Sequence, residues 1–241
     1  MSYSTDSSGY GYVELDNEEK TKIFIESVDS NLLETLEARN SDYLIGQGDK
    51  LLITVWGLPE IFPINTFNAE LNSRIVDEKG TIFFPYAGTL KAEGKTTRQL
   101  RNEITIEFEK FFNDPQIDVS ILQYNSKKVY VLGEVTRPQK LVLTQTPMSL
   151  SDALGMVEGL NTQTSSGTEV FIFRQNEITG EPKIYRADLS SPSAFLIANN
   201  FYMESKDIIY VNASGTTKWN RVISQFFPFS SLLNNIDNLS N

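Results

Sequence analysis

Few of the side chains able to do chemistry are of the kinds most enzymes use. The 241 residues include no histidine and no cysteine. Their absence removes Cys/His nucleophile systems, the Ser-His-Asp triad and His/Cys zinc sites together. Paired carboxylates survive that exclusion: Glu18-Glu19, Asp77-Glu78 and Glu107-Glu109 are spaced like the acid pairs of glycoside hydrolysis. Adjacent carboxylates more often sit on solvated surface, so no catalytic residue and no metal ligand is assigned from them. Gly46-Gln47-Gly48-Asp49 has the look of a phosphate-binding loop, but it leads into a strand rather than a helix. It also lacks the third glycine of the dinucleotide fingerprint, and a tight turn is the better expectation. Tyr43, Trp56, Tyr86 and Tyr130 could stack on sugar rings, although aromatics on strands usually belong to the core. No cofactor is expected.

The C-terminal tail is a different kind of signal. Trp219, Val222, Ile223, Phe226, Leu233 and Ile236 recur at helical intervals as one apolar stripe. Opposite them lie Asn220, Ser224, Gln225, Ser231, Asn234 and Asn235, and no charged residue occurs between Val222 and Ile236. An ordinary surface helix would carry Lys and Glu on its wet face, and a lone spanning helix would be apolar all round. The segment suits a helix with lipid against Trp219, Val222, Ile223, Phe226, Leu233 and Ile236. A water-filled lumen would then lie against Ser224, Gln225, Ser231, Asn234 and Asn235, and only a ring of copies provides both. Residues 217–236 would extend ~30 Å as a helix, about one hydrocarbon thickness. Trp219 suits a headgroup-level anchor, Arg221 can snorkel, and Pro228 bends the helix.

The elements that would position these groups follow from periodicity. The fold class expected is α+β, because strands outnumber helices and do not alternate regularly with them. Residues 1–41 read as a flexible N-terminal segment with a helix over 21–39, whose face is Ile23, Phe24, Val28, Leu32 and Leu36. A first domain spans 42–124. Its expected strands are Leu51–Trp56, Thr81–Phe84 and Gln116–Gln123. Its helix opens at a Thr96-Thr97-Arg98-Gln99 capping box, faces the core with Leu100, Ile104, Phe108 and Phe111, and closes at Asn113-Asp114-Pro115. A second domain spans 125–213, with strands at Lys128–Leu132, Lys140–Leu143, Val170–Phe173, Lys183–Arg186 and Asp207–Val211. Its helices begin at Ser149 and near Ser193, and Gly159 is placed to stop the first. The tail, 214–241, completes the chain. Lys plus Arg total 21 against 31 Asp plus Glu, a net charge of −10, which argues against nucleic acid as a partner. Met1–Lys20 is polar and does not read as a signal peptide, so a cytosolic protein or a mature form is expected.

Five blocks, in order, resemble the bacterial polysaccharide export family. Tyr43-Leu-Ile-Gly-Gln-Gly-Asp-Lys-Leu-Leu-Ile-Thr-Val-Trp56, with Tyr43, Gly46, Gly48 and Asp49, is similar to its opening signature. Asp77–Gly88, with Gly80, Pro85 and Gly88, resembles the next block, and Lys95–Leu100 and Pro115–Val119 follow. Val129–Val135, with Gly133, Glu134 and Val135, resembles the start of a soluble-ligand-binding β-grasp (SLBB) module, whose helix corresponds to Ala153–Gly159. Lys218–Gln225 is similar to the C-terminal helix of the family's outer-membrane translocons for capsular polysaccharide. Those relatives carry two β-grasp modules in tandem, a signal peptide and a lipidated N-terminal cysteine, whereas one module is present here.

The resemblance implies a non-enzymatic subunit of a homo-oligomeric ring, an octamer, set in outer-membrane lipid with most of the chain periplasmic. The C-terminal helices would form an α-helical barrel through which the polysaccharide substrate leaves. It also implies an inner-membrane polysaccharide co-polymerase, often a tyrosine autokinase, as partner. The alternatives are a soluble periplasmic carbohydrate-binding or adaptor protein that uses the β-grasp module, and a polysaccharide-modifying enzyme.

Overall fold

The computed structural model describes residues 3–5, 11–13, 23–30, 33, 42–63, 72–175 and 182–214. Two apolar cores organise them. The first is built around strand β4, Lys50–Trp56, whose alternation sends Leu51, Ile53 and Val55 inward at 0% exposure. β4 pairs antiparallel on one side with β5, Ser73–Ile75, and on the other with β8, Gln116–Gln123. A hairpin of β6, Thr81–Phe84, and β7, Gly88–Lys91, closes the same core. Helix α1, Thr97–Phe108, completes it with Leu100, Ile104 and Phe108.

The helix starts as its sequence dictates. Thr96 accepts the Gln99 N–H, and the Gln99 side chain accepts the Thr96 N–H, so two otherwise orphaned donors are satisfied. It ends earlier than expected. Glu109 is the C-cap, the N–H groups of Phe111 and Phe112 both turn back to the Phe108 carbonyl, and Phe111 lies 61% exposed rather than in the core.

The second core lies between a mixed sheet and two short helices. Its strands are β9, Lys128–Gly133; β10, Gln139–Val142; β11, Ser165–Gln175; β12, Pro182–Ala187; and β13, Ile208–Ala213. The helices are α2, Leu150–Met156, and α3, Pro192–Ala198. Ser149 and Asp152 form a reciprocal capping box on α2. Past its end Glu158 and Gly159 both take positive φ, and the Gly159 N–H returns to the Leu154 carbonyl, which is how that glycine stops the helix. Arg174, buried in this half, forks onto Asp207 at 2.9 and 2.6 Å and reaches Glu204 at 2.7 Å.

The N-terminal expectation of a helix over 21–39 fails at Ile23–Ser27, while the described residues Ser30 and Leu33 within it are helical. Ile23–Ser27 is a strand, β3, and it lies parallel to β12 with Ile25 opposite Ile184. Tyr3–Thr5 (β1) and Gly11–Val13 (β2) are strands too, paired antiparallel with each other and onto β3, so the sheet runs β1-β2-β3-β12-β11-β13-β9-β10. The run Ile23-Phe24-Ile25 satisfies strand as well as helix periodicity, and the open edge of β12 decides between them by offering backbone partners. Leu32 and Leu36, the far part of the expected helix, lie outside the described residues, as does the tail beyond Ser214.

Candidate functional site

The opening motif converges on one buried carboxylate. Asp49 is 0% exposed and accepts five hydrogen bonds. Its Oδ1 takes the backbone N–H groups of Asn125 and Ser126 at 2.8 and 2.9 Å. Its Oδ2 takes the Tyr43 hydroxyl at 2.9 Å, the Gly46 N–H at 3.0 Å and the Ser126 hydroxyl at 3.0 Å. Asn125 and Ser126 sit between β8 and β9, in the link joining the two cores, so Asp49 ties the start of β4 to that link.

The surrounding motif positions follow from the same geometry. A Cβ on Gly46 would meet Ser126 Cβ and Oγ at 2.5 Å, and Gly48 holds φ +86°. Tyr43 is clamped by the Lys127 ammonium, 4.6 Å from its ring centre, and by the edge of Tyr124 at 5.0 Å. Burial pushes the Tyr43 phenol well above its usual range, with the Asp49 charge acting in the same direction, so it stays a neutral donor. The Gly46–Asp49 loop is a tight turn, as its position before a strand implies. Three of its four N–H groups are used within the domain: Gly46 on Asp49, Gly48 on the Val76 carbonyl and Asp49 on the Gly46 carbonyl.

Beside this joint, Asp42, Tyr43, Thr96, Thr97, Arg98, Gln145 and Pro147 line an open cleft of about 620 Å³. Asp42 and Arg98 pair there at 3.1 Å. No spacing in the sequence signals this cleft, because its walls come from segments more than 40 residues apart.

The other motif residues also hold backbone in place. Gly80, at φ +72°, follows Asp77, whose carboxylate accepts from Lys79 N–H, Thr81 N–H and the Thr81 hydroxyl. Those bonds, the Thr81 ones foremost, hold the Asp77 carboxyl below the usual range. Pro85 leads into Tyr86, a non-glycine residue at φ +66°, a strained conformation costing about 1–3 kcal/mol, and Gly88 at φ +73° ends the turn. Gly133, at φ +84°, has no room for a side chain, since a Cβ would lie 2.1 Å from the Val211 carbonyl oxygen on β13. Glu134 accepts the Thr164 hydroxyl, and Val135 is buried and bridges to Leu160.

The carboxylate pairs do not converge. Glu78 adjoins Asp77, whose oxygens are committed to the turn; Glu107 pairs with Lys110; Glu109 caps α1; Glu18-Glu19 lies outside the described residues. Among the described residues there is no cluster of three or more side chains able to hold a metal ion. The aromatics depart from the core expectation: Trp56 is 55% exposed, Tyr86 44% and Tyr130 40%, while Tyr43 is half-buried in the joint. Strand residues alternate sides, and Trp56 and Tyr130 fall on the wet side, whereas Tyr86 sits in the turn between β6 and β7.

The proposed membrane-facing residues Trp219, Val222, Ile223, Phe226, Leu233 and Ile236, and the proposed lumen-facing Ser224, Gln225, Ser231, Asn234 and Asn235, lie outside the described residues. No helix among the described residues is long and apolar enough to cross a membrane.

Known proteins resemble this chain across both cores. The family described as "Polysaccharide biosynthesis/export protein" matches residues 37–122, and the SLBB domain matches residues 127–211. The EPS I polysaccharide export outer membrane protein EpsA of Ralstonia solanacearum is 26% identical over 299 aligned positions, covering 83% of this chain and 79% of that protein. The capsule polysaccharide export outer membrane protein CtrA of Neisseria meningitidis serogroup B is 20% identical, covering 80% of this chain and 78% of its own. The polysialic acid transport protein KpsD of Escherichia coli is 29% identical over 147 residues, 61% of this chain but 25% of that protein. Residues 37–122 are therefore a polysaccharide biosynthesis/export domain and residues 127–211 an SLBB domain, and the bonds from Asn125 and Ser126 to Asp49 fasten the link between them.

Proposed function

We propose that the chain is a subunit of an oligomeric outer-membrane channel that exports extracellular or capsular polysaccharide. The observation that carries this is the extent of the likeness. Relatives named as polysaccharide export outer membrane proteins align across the export and SLBB domains together, and not across one shared module. The alignment with EpsA runs over 299 positions, more than the 241 residues of this chain, so that relative carries residues without a counterpart here. This supports a shorter periplasmic body with one SLBB module. In this reading residues 214–241 of each copy supply an amphipathic helix to a barrel of eight, apolar stripe outward and Asn, Gln and Ser inward. A helix satisfies its own backbone in lipid, and a ring gives its polar face water. Weak, repeated contacts with sugar hydroxyls pass a polymer along, whereas a tight site would hold it. Energy comes from outside the subunit, and an inner-membrane co-polymerase, of the tyrosine autokinase kind, is the partner expected at the periplasmic base.

Deletion of residues 216–241 tests the reading. The truncated chain should lose membrane association and export while retaining its fold. A truncated chain that still inserts and exports would overturn the tail-barrel assignment, and a full chain that is soluble without detergent would favour the adaptor role.

A further inference from the structure

The three-stranded sheet β5-β4-β8 has two faces, and only one is used by the core. Leu51, Ile53 and Val55 point into the core, so Leu52, Thr54 and Trp56 point the other way. Across the strand boundary Leu52 is paired with Ser120, Thr54 with Asp118 and Trp56 with Gln116. Ser73 on β5 extends the first of these rows. The face is open: Trp56 is 55% exposed, Gln116, Asp118 and Ser120 are exposed, and Leu52 and Thr54 are half-buried. Thr54, Asp118, Ser120 and the Trp56 indole make no side-chain hydrogen bond or ion pair with any described residue, so their polar atoms stand ready for a ligand. From Leu52 to Trp56 the platform is about 13 Å long, with its columns about 4.8 Å apart.

From this arrangement we infer that the open face of the export-domain sheet is a binding platform for a neutral hexopyranose chain. The inference rests on the export reading for the presence of a glycan and deepens it by naming where a sugar first meets the protein. The weakly positive axial C–H groups of a pyranose ring match the negative face of an indole, and Trp56 at the strand end presents such a face to solvent. Next to it the Asp118 carboxylate and the Thr54 and Ser120 hydroxyls alternate at the spacing of a sheet, which suits the equatorial hydroxyls of the same ring, while the Gln116 NH2 is held by Asp114. Charge argues for a neutral chain: Asp118 and Lys50 are the face's two charged residues, so it neither attracts nor repels strongly. A dry contact with a second copy would leave Thr54, Asp118 and Ser120 desolvated without partners, which a stable protein interface avoids at its centre.

The test uses the full chain carrying Trp219→Phe, so that Trp56 is the sole indole, in a detergent without a sugar headgroup. Titration with cellohexaose and with maltohexaose should give a saturable shift in Trp56 emission with at least one of them, and sorbitol should give none. By saturation-transfer NMR, Trp56→Ala should abolish the sugar signal, and Asp118→Asn, a surface change that leaves the core intact, should weaken binding about tenfold. A flat titration with both hexasaccharides overturns the inference. So does a Trp56→Ala protein that keeps its sugar signal, or one that keeps it while falling to a smaller oligomer, which would assign the face to subunit contact. Chain lacking 216–241 should bind sugar unchanged, so a failed platform and a failed channel give different results.

Discussion

Replacing Asp49 tests whether the opening motif is a joint. In Asp49→Ala the N–H groups of Gly46, Asn125 and Ser126 and the hydroxyls of Tyr43 and Ser126 all lose their acceptor. A hydrogen bond to a charged group contributes about 1.5–3 kcal/mol, and an orphaned buried donor costs about 1–3 kcal/mol. The hydroxyls can turn towards water, but the three backbone donors cannot, so a loss of about 3–5 kcal/mol is expected. Asp49→Asn should be milder. Its oxygen can hold the Asn125 and Ser126 N–H groups at the Oδ1 position only as weaker bonds to a neutral acceptor, and Tyr43 and Ser126 can rotate to accept from the new amide. The Gly46 N–H then faces another donor, and with the weakened bonds at Asn125 and Ser126 a loss of about 1.5–3 kcal/mol is expected. The assay is urea unfolding of the full chain followed by Trp56 fluorescence in the Trp219→Phe background, with amide hydrogen exchange alongside. Exchange at Asn125 and Ser126 should accelerate in both variants while β11 and β13 remain protected. An Asp49→Ala protein within 0.5 kcal/mol of wild type, or unchanged exchange at Asn125 and Ser126, would refute the joint.

Three further outcomes follow from the same packing. Gly46→Ala should cost about 1–3 kcal/mol by pressing its Cβ into Ser126, and adding Ser126→Gly should recover part of that loss in urea titrations, since the Cβ and Oγ it meets are then gone. Gly133→Ala should cost more than about 3 kcal/mol and disrupt the β9–β13 pairing in far-UV circular dichroism, because the atom it meets is the Val211 backbone oxygen and its φ is +84°. The Asp152 carboxyl is held below its usual range by the Ser149 N–H and hydroxyl, and Asp77 likewise by Thr81 and Lys79. Folded pKa values below the unfolded ones give stability that is present above the ordinary carboxylate range and lost as pH falls through the folded values. Asp152→Asn should therefore flatten the acid limb of a stability-against-pH profile; an unchanged limb would remove that capping box from the account.

How far the fold could be read in the sequence depended on how local its causes were. The α1 and α2 starts are set by residues three apart, Thr96 with Gln99 and Ser149 with Asp152, and both were readable. The strands β4, β6 and β8 carry their own alternation and were readable too. The region 21–39 was not, because Ile23–Ser27 becomes a strand only when β12, some 160 residues later, offers its edge. Exposure of Trp56 was hidden for a related reason. An aromatic at a strand end is core or surface according to which face the sheet covers, and that is a property of α1 and the β6–β7 hairpin packing together. Asp49 was visible as part of a motif, but its partners Asn125 and Ser126 are 76 and 77 residues away.

Within the motif blocks, the positions that shape the backbone and the positions proposed to meet sugar are different, and physical reasons separate them. Gly46, Gly48, Gly80, Gly88 and Gly133 act through positive φ or missing side-chain volume, and Asp49 acts by consuming donors; none of these leaves an atom free for cargo. A proposed ring needs such residues. If each copy places a tail helix some tens of ångströms from its export domain, a small hinge error at residues 123–127 is magnified along that lever. A link whose two backbone N–H groups are bonded to one buried carboxylate resists that hinge more strongly than a solvated linker would. Stiffness at Asp49 is therefore expected to matter more for assembly than for the stability of either half. Asp49→Asn, the milder change, should lower the yield of closed oligomers out of proportion to its cost in unfolding free energy. Native mass spectrometry of the detergent-solubilised protein measures that yield. Full oligomer yield from an Asp49→Asn chain that unfolds more easily would mean that the link sets stability alone and that subunit contacts fix the angle by themselves.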